Sequence, residues 1–399
     1  MERILLGQLG ANGDCLYATI LARQLRQDHP TAHITWAISS QCAPVLKNNP
    51  HIDAVWKIPI ADWSGHEAMW KVFEREALRR YQRREFDHVL LSQIWPNHFE
   101  NYDGTVRPSL LRSYGRPITV PIENVIELTG DEVERTDNFV RENGILDFKY
   151  RILFECSSKS GQSFVTPEKA QAVADRLYEK LPDATVIFST HLPMELRDPR
   201  SRYAGVLTLR ETARLTHFCT LFIGAGSGGT VAASSTAARP LPMLQLLAAS
   251  TSVFASFAHD FEYFNVTAWP IIELTTENER TIAECIALLC REGVDAAQRS
   301  YGAPIPVTFD HYVSQISNCL LRQYRFIDAA RSLKVTAERY GWTRSLVRFG
   351  MRQIAPRLRL DPTWLFSENR RFADAFRAEL ADASRSPAPY PRQMRRGSA

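Results

Sequence analysis

Arg3-Ile4-Leu5-Leu6-Gly7-Gln8-Leu9 runs directly into Gly10-Ala11-Asn12-Gly13-Asp14, after which Leu16, Ile20, Leu21 and Leu25 recur at helical spacing until His29-Pro30. A short apolar run from Ile4 to Leu9, a glycine-broken turn and an amphipathic helix form a β-α unit of buried-strand type. The alternation continues outward from this stretch. Ile34 to Ile38 and Ala54 to Ile58 read as strands with a short helix at Ala43 to Lys47 between them. A charged helix from about Asp62 to Arg84 then leads to a strand at His88 to Leu91. Strands alternating with helices specify a parallel sheet with helices on both faces.

The pattern restarts after the polar helical stretch Asp131 to Asn143. Tyr150 to Glu155 reads as a strand, Ser157 to Ser163 as a Ser/Gly loop, and Pro167 opens a helix that runs to Leu181. Thr185 to Ser189 and Leu221 to Ile223 are strands separated by a helix from Leu209 to Thr216. Gly224-Ala225-Gly226-Ser227-Gly228-Gly229 opens a helix from Thr230 to Ala237, and a further strand follows around Leu241 to Leu246. The expected architecture is α/β: a Rossmann-like domain over 1–145, a second over 146–300, a basic helical extension over 301–380 and a disordered tail over 381–399. Ligand is expected in the cleft at the carboxyl ends of the strands.

Composition narrows the function classes. In 399 residues, 45% are hydrophobic and 23% charged, the balance of a soluble globular chain. Seven cysteines without a CxxC pair argue against a disulfide framework or a zinc ribbon and favour a reducing compartment. No apolar run approaches the ~20 residues of a membrane span, and the first residues read as a strand rather than a leader. A cytoplasmic protein is expected. From Leu320 onward there are 17 Lys and Arg against 7 Asp and Glu, so that segment carries +10 and the remainder −6. The acidic bulk gives no footprint for nucleic acid, and none is expected as a partner.

Three stretches carry candidate chemistry. Glycines in Gly10-Ala11-Asn12-Gly13 let a ligand approach the backbone, and Asp14 at the mouth of the cleft can take a proton from an attacking hydroxyl. The competing reading makes Asp14 the N-cap of the following helix. The glycine-rich turn before Thr230 offers backbone N–H groups and the positive end of a helix dipole to a diphosphate, helped by Ser227, Gly228, Gly229 and the Thr230 hydroxyl. The competing reading there is a tight strand–helix turn. Ser158, Lys159, Ser160 and Gln162 lie in a polar loop suited to face phosphate, and His191 and Glu195 follow a strand that borders the same cleft. The ten histidines show no metal-ligand spacing and no paired acidic motif stands in a suitable loop, so neither a metal nor another cofactor is expected.

These residues resemble the heptosyltransferase family of GT-B-fold glycosyltransferases. The opening strand, Gly10 to Asp14, Leu25-Arg26, His29-Pro30 and Ile34 to Trp36 carry the likeness, with Asn49-Pro50-His51-Ile52-Asp53 and Val55. Leu209 to Leu215 and Phe222 to Ala233 resemble its donor-site strand–loop–helix. The likeness covers about the first 60 residues and about 150–250. It implies two Rossmann-like domains facing a central cleft, Asp14 as general base of an inverting transfer, Lys159 on the donor side, and an ADP-linked or other nucleotide-sugar co-substrate. The acceptor it implies is a lipid-linked or other cell-envelope glycan, such as lipopolysaccharide or capsule. Ser227 and Gly228 match the donor motif, whereas Gly226 and Val231 stand where the family has aspartate and histidine. A nucleotide-sugar epimerase and a non-catalytic nucleotide- or glycan-binding protein remain as alternatives.

In the basic extension, Val347, Met351, Ile354 and Leu358 fall on one helical face and Arg344, Arg348 and Arg352 on another, with Trp342 and Phe349 nearby. Such a helix is suited to rest on the anionic inner face of the cytoplasmic membrane. The alternative is that the stripe packs against one of the domains.

Overall fold

The computed structural model describes residues 1–60, 63–96, 98–158 and 161–360. Lys159, Ser160, the start of the charged helix at Asp62 and the 381–399 tail lie outside the described residues.

Strands β1 (Arg3–Gly7), β2 (His33–Ser39), β3 (Ala54–Ile58) and β4 (His88–Leu91) form one parallel sheet in the order β3-β2-β1-β4. Around it run α1 (Asn12–Asp28), α2 (His66–Gln82) and α3 (Val106–Arg112), followed by α4 (Gly130–Glu142). The alternation along β1 explains its two-sided burial. Ile4 and Leu6 join Leu16 and Ile20 of α1 in one core, while Leu5 joins Trp70 and Phe73 of α2 in another. Each such side chain contributes about 1.5–3 kcal/mol through burial.

The second sheet contains β5 (Tyr150–Glu155), β6 (Ala184–Ser189), β7 (Ser201–Tyr203), β8 (Leu221–Gly224), β9 (Met243–Leu246) and β10 (Ile271–Leu274). They are all parallel, in the order β10-β9-β8-β5-β6-β7. Its helices are α5 (Pro167–Lys180), α6 (Leu209–Leu215), α7 (Gly228–Ala233), α8 (Ser252–Ala255), α9 (Phe257–Phe264), α10 (Glu279–Glu292) and α11 (Val294–Tyr301). Ile152 and Phe154 pack with Val173 and Leu177 of α5 and Ile286 of α10, and Leu153 packs on the opposite face with Phe139 and Val140 of α4. Helix α4, assigned above to the first domain, therefore covers the second sheet. Strands β7 and β10 have no counterpart in the sequence reading. β7 is only the three polar-rich residues Ser-Arg-Tyr at a sheet edge. The segment Ala43 to Lys47 is a 3-10 turn, Ala43–Leu46, rather than an α-helix.

The motif residues of the first domain are structural ties. Asp53 accepts from Ile34 N at 2.7 Å and Arg26 Nη2 at 2.5 Å, and Arg26 Nη1 donates to Ala32 O at 2.7 Å. Together they lock the end of α1 to β2 and to the approach to β3.

The extension is α12 (Asp310–Cys319), α13 (Phe326–Tyr340) and α14 (Arg344–Phe349). It returns to the first domain: the Tyr312 ring stacks on Tyr102 at 6.0 Å, and Ser332 Oγ donates to Tyr102 O at 2.6 Å. Arg339 Nη1 donates to Asp103 and Thr105, and its Nη2 to His259 O and Asp260, which bridges the two sheets' domains. The apolar stripe drawn from the sequence splits. Ile354 faces inward with Leu346 and Phe349, whereas Val347, Met351 and Leu358 are 44%, 67% and 40% exposed. A π-helical turn over Gly350–Ile354 shifts the register behind α14, so 3.6-residue spacing no longer marks one face. No helix among the described residues is long and apolar enough to cross a membrane.

Candidate active site

The carboxyl ends of β1 and β4 face the second domain, and a glutamine pair shapes the turn between them. Gln93 Oε1 accepts from Leu9 N at 2.9 Å and Gly10 N at 3.1 Å. Gln93 Nε2 and Gln8 Nε2 both donate to Gly10 O, at 2.6 and 2.8 Å. Gly10 is thus buried with its backbone committed to these amides, and it lines none of the chambers described below. Ala11, Asn12 and Gly13 do line cavities.

Helix α1 begins at Asn12, so the N-cap is Ala11 and Asp14 is the third helical residue. Asp14 is therefore not the N-cap itself, but it faces the N-cap amide from the third position of the helix. Its Oδ2 reaches back to Ala11 N–H at 3.4 Å, a long contact that leaves most of the carboxylate's acceptor capacity unused. Burial pushes the Asp14 carboxyl up to about 6, against the opposing pull of the Ala11 N–H and the Arg107 guanidinium. Arg107 itself is held by Asp260 at 2.5 Å and by the Ala255 and Ser256 carbonyls, a tie from α3 to the second domain.

The two domains touch where α1 and α7 begin. A Cβ on Gly13 would stand 3.1 Å from Gly228 Cα, closer than ordinary van der Waals contact, so glycine suits this approach of the two backbones. Three chambers surround the junction. One of about 330 Å³ is lined by Ala11, Asn12 and Gly13 on one side and by Ser157, Thr190, His191, Ser227, Gly228 and Gly229 on the other. A second, of about 560 Å³, is lined by Asp14 with Trp95, Phe99, Tyr102, Phe254, His311 and Gln315 among others. A third, of about 110 Å³, lies between them and includes Asp14, Arg107, Gln162, Ser227 and Gly228. Asp14 therefore borders both the small connecting chamber and the large one.

The glycine-rich turn departs from the sequence expectation. Glu155, the last residue of β5, occupies the start of α7. Its Oε1 accepts from Ser227 Oγ at 2.5 Å and Gly229 N at 2.7 Å, and its Oε2 from Ala225 N at 2.8 Å and Thr230 Oγ1 at 3.0 Å. The protein's own carboxylate fills the anion site that the helix end offers. Gly229 N–H and the fully buried Thr230 hydroxyl are engaged by Glu155, although Gly229 still lines the 330 Å³ chamber. Ser227 and Gly228 still line the chambers. The other helix end at the junction is differently placed: Ala11 carries no side-chain acceptor for the first amides of α1, and Asn12 and Gly13 line the 330 Å³ chamber.

The remaining candidates separate. His191 lines the 330 Å³ chamber, and Gln162 lines the small one with its Oε1 buried and unpartnered. Ser158 accepts from Ser163 N at 3.3 Å within its own loop and lines none of the three chambers. Glu195 is exposed and outside them as well; its carbonyl accepts from Gln171. The sequence reading missed Glu155, Gln93, Arg107 and His311. For Glu155 a signal was present, a charged residue closing the apolar run Ile152-Leu153-Phe154. His311 lies beyond both sheets and gives none. Among the described residues no cluster of three His, Cys, Asp or Glu is placed to hold a metal ion.

Neither a protein-family model nor a curated protein sequence matches the chain. Solved structures do match. A glycosyl transferase family 9 protein from Veillonella parvula superposes with a TM-score of 0.51 at 16% identity, over 75% of this chain and 96% of that one. The ADP-heptose LPS heptosyltransferase II of E. coli matches with a TM-score of 0.44 at 17% identity, over 73% and 99%. A UDP-GlcNAc 2-epimerase from Neisseria meningitidis matches with a TM-score of 0.44 at 12% identity, over 81% and 100%. The paired parallel sheets, the helices on their faces and the returning extension give the chain a GT-B fold, similar to that of the family 9 glycosyl transferase.

Proposed function

We propose that the chain is a glycosyltransferase that moves a sugar from a nucleotide donor to a hydroxyl of a cell-envelope glycan, with Asp14 as general base. The observation that carries this reading is the position of Asp14, a half-buried carboxylate titrating near 6 on the wall of both the large chamber and the connecting one. A base with a pKa close to neutral is matched to its task.

In the proposed step the acceptor hydroxyl gives its proton to Asp14 as its oxygen attacks the anomeric carbon. A carbon–oxygen bond forms on one face, and the bond to the diphosphate oxygen breaks on the other. The electron pair leaves with the nucleoside diphosphate, and the configuration inverts. The donor is assigned to the 330 Å³ chamber, its diphosphate against Ser227, Gly228 and the first amides of α1, with His191 toward the nucleoside. Preorganised donors of this kind stabilise the charge that grows on the leaving group. The reading requires no metal. The resemblance suggests an ADP-linked heptose, and Gly226 and Val231 make a different hexose-like sugar the alternative donor.

The pH dependence tests the base. Asp14 acts only when ionised, so kcat/KM is expected to rise about tenfold per pH unit below a break near 6 and to level above it. A profile flat from pH 5 to 8 contradicts the assignment.

We further propose that the enzyme works at an anionic membrane surface. Trp342, Val347, Met351 and Leu358 are exposed beside Arg344, Arg348 and Arg352, a combination of apolar anchors and cations suited to lipid headgroups. Co-sedimentation with phosphatidylglycerol vesicles is expected at low salt and should be lost when Trp342 and Met351 become serine. Indifference to such vesicles at low salt overturns the placement.

A further inference from the structure

The 560 Å³ chamber is walled by parts of the chain far apart in sequence. Trp95 follows β4, Phe99 and Tyr102 lie in the next loop, Phe254 belongs to α8 of the second domain, and His311 and Gln315 stand one turn apart on α12 of the extension. The aromatic side chains are held in place. The Trp95 ring stacks on His66 at 5.5 Å with 18° between planes, and Phe254 lies 4.9 Å from the His311 ring. Flat apolar faces fixed in this way suit the C–H face of a pyranose ring, while amides and hydroxyls at the edges suit its hydroxyl groups.

Two polar atoms here have no partner. His311 Nε2 and the Tyr102 hydroxyl are both buried without a hydrogen bond, and Tyr102 is 1% exposed. Both residues line the chamber; a buried polar group left unpaired is costly, so a ligand that reaches these atoms as the wall adjusts would relieve that cost. Burial also lowers the His311 pKa, which keeps the ring neutral, with one nitrogen donor and one acceptor. Among the described residues lining the chamber, Asp14 is the one acidic side chain and none is Lys or Arg. An anionic group in this chamber would meet the Asp14 carboxylate with no cation on the wall to offset it.

We propose that this chamber binds the acceptor as an uncharged sugar ring with one apolar face, and that the C-terminal extension reads it through His311, with Gln315 beside it. The assignment rests on the glycosyltransferase reading for the reaction, but not for the binding. The chamber selects neutral glycan ends over those bearing a carboxylate or phosphate at the reacting residue. The extension is then a specificity element of the acceptor site as well as a tie between domains.

Binding and turnover separate the two claims. Saturation-transfer NMR on the full chain, with methyl hexopyranosides as probes, is expected to give strong ring-proton signals. The matching uronic acids and sugar 6-phosphates should give weak ones. His311→Leu should weaken methyl-glycoside binding about tenfold, the scale of one lost hydrogen bond, with nucleoside diphosphate affinity unchanged. His311→Gln, which keeps a donor and an acceptor, should restore most of it. Where a transferable donor is in hand, acceptor KM should rise in His311→Leu with kcat nearly constant. Preferential binding of the charged sugars, no binding of the neutral ones, or a His311→Leu variant that folds and binds them normally each overturns the proposal. Neutral glycosides that bind at His311 but never react leave the chamber assignment standing and overturn the transferase reading instead.

Discussion

Asp14→Asn is expected to reduce transfer by about 10²–10⁴-fold while donor affinity stays near that of the unaltered enzyme. The amide keeps the size and one acceptor oxygen but cannot accept the acceptor's proton at neutral pH. A stability measurement separates this from a structural role. The native carboxyl titrates near 6 against an ordinary value of 3.8. Between those pH values the folded protein holds a proton that the unfolded chain has released, so stability falls as pH rises through that window. Above it, the ionised side chain opposes folding. With its partial exposure discounted, removing the charge should stabilise the protein at pH 8 by on the order of 1 kcal/mol. A variant that loses stability and activity together at pH 8 would mark Asp14 as a structural residue.

Glu155→Ala should have the largest effect on stability of any change at the site. The carboxylate is 6% exposed and accepts from Ala225 N, Ser227 Oγ, Gly229 N and Thr230 Oγ1. Truncating it leaves buried donors without an acceptor and opens a space under the glycine turn. Each buried donor left unsatisfied costs about 1–3 kcal/mol, a loss measurable by urea unfolding. Transfer should fall as well, because Ser227 and Gly228 lose their support. If the turn were instead an anion site for donor, Glu155→Ala would leave stability nearly unchanged and raise affinity for a nucleoside diphosphate.

Glu155 also marks the limit of what the sequence makes legible. The β-α units could be read because buried strands such as Ile4-Leu5-Leu6 and Ile152-Leu153-Phe154 are apolar on both faces, and glycines break the chain after them. The placement of Asp14 in the cleft followed from the same local pattern. The glycine turn before Thr230 was equally visible, but a local pattern cannot say which anion fills a helix end, and the answer lies at the end of β5. His311 is a harder case, since only the return of α12 across the first domain brings it near Asp14. The stripe at Val347 to Leu358 misled for a local reason, the π turn at Gly350–Ile354, which changes the period on which the reading depended.

In the proposed reaction a sugar passes from the donor chamber to an acceptor hydroxyl deprotonated by Asp14. Proton NMR of a reaction mixture tests it most directly, with a nucleotide sugar selected by thermal shift, a methyl glycoside acceptor and EDTA present. A new anomeric signal of a glycosidic bond is expected, with configuration opposite to that of the donor and free nucleoside diphosphate accumulating in step. A product of retained configuration, a strict requirement for a divalent ion, or conversion of the donor sugar with the acceptor untouched would contradict it.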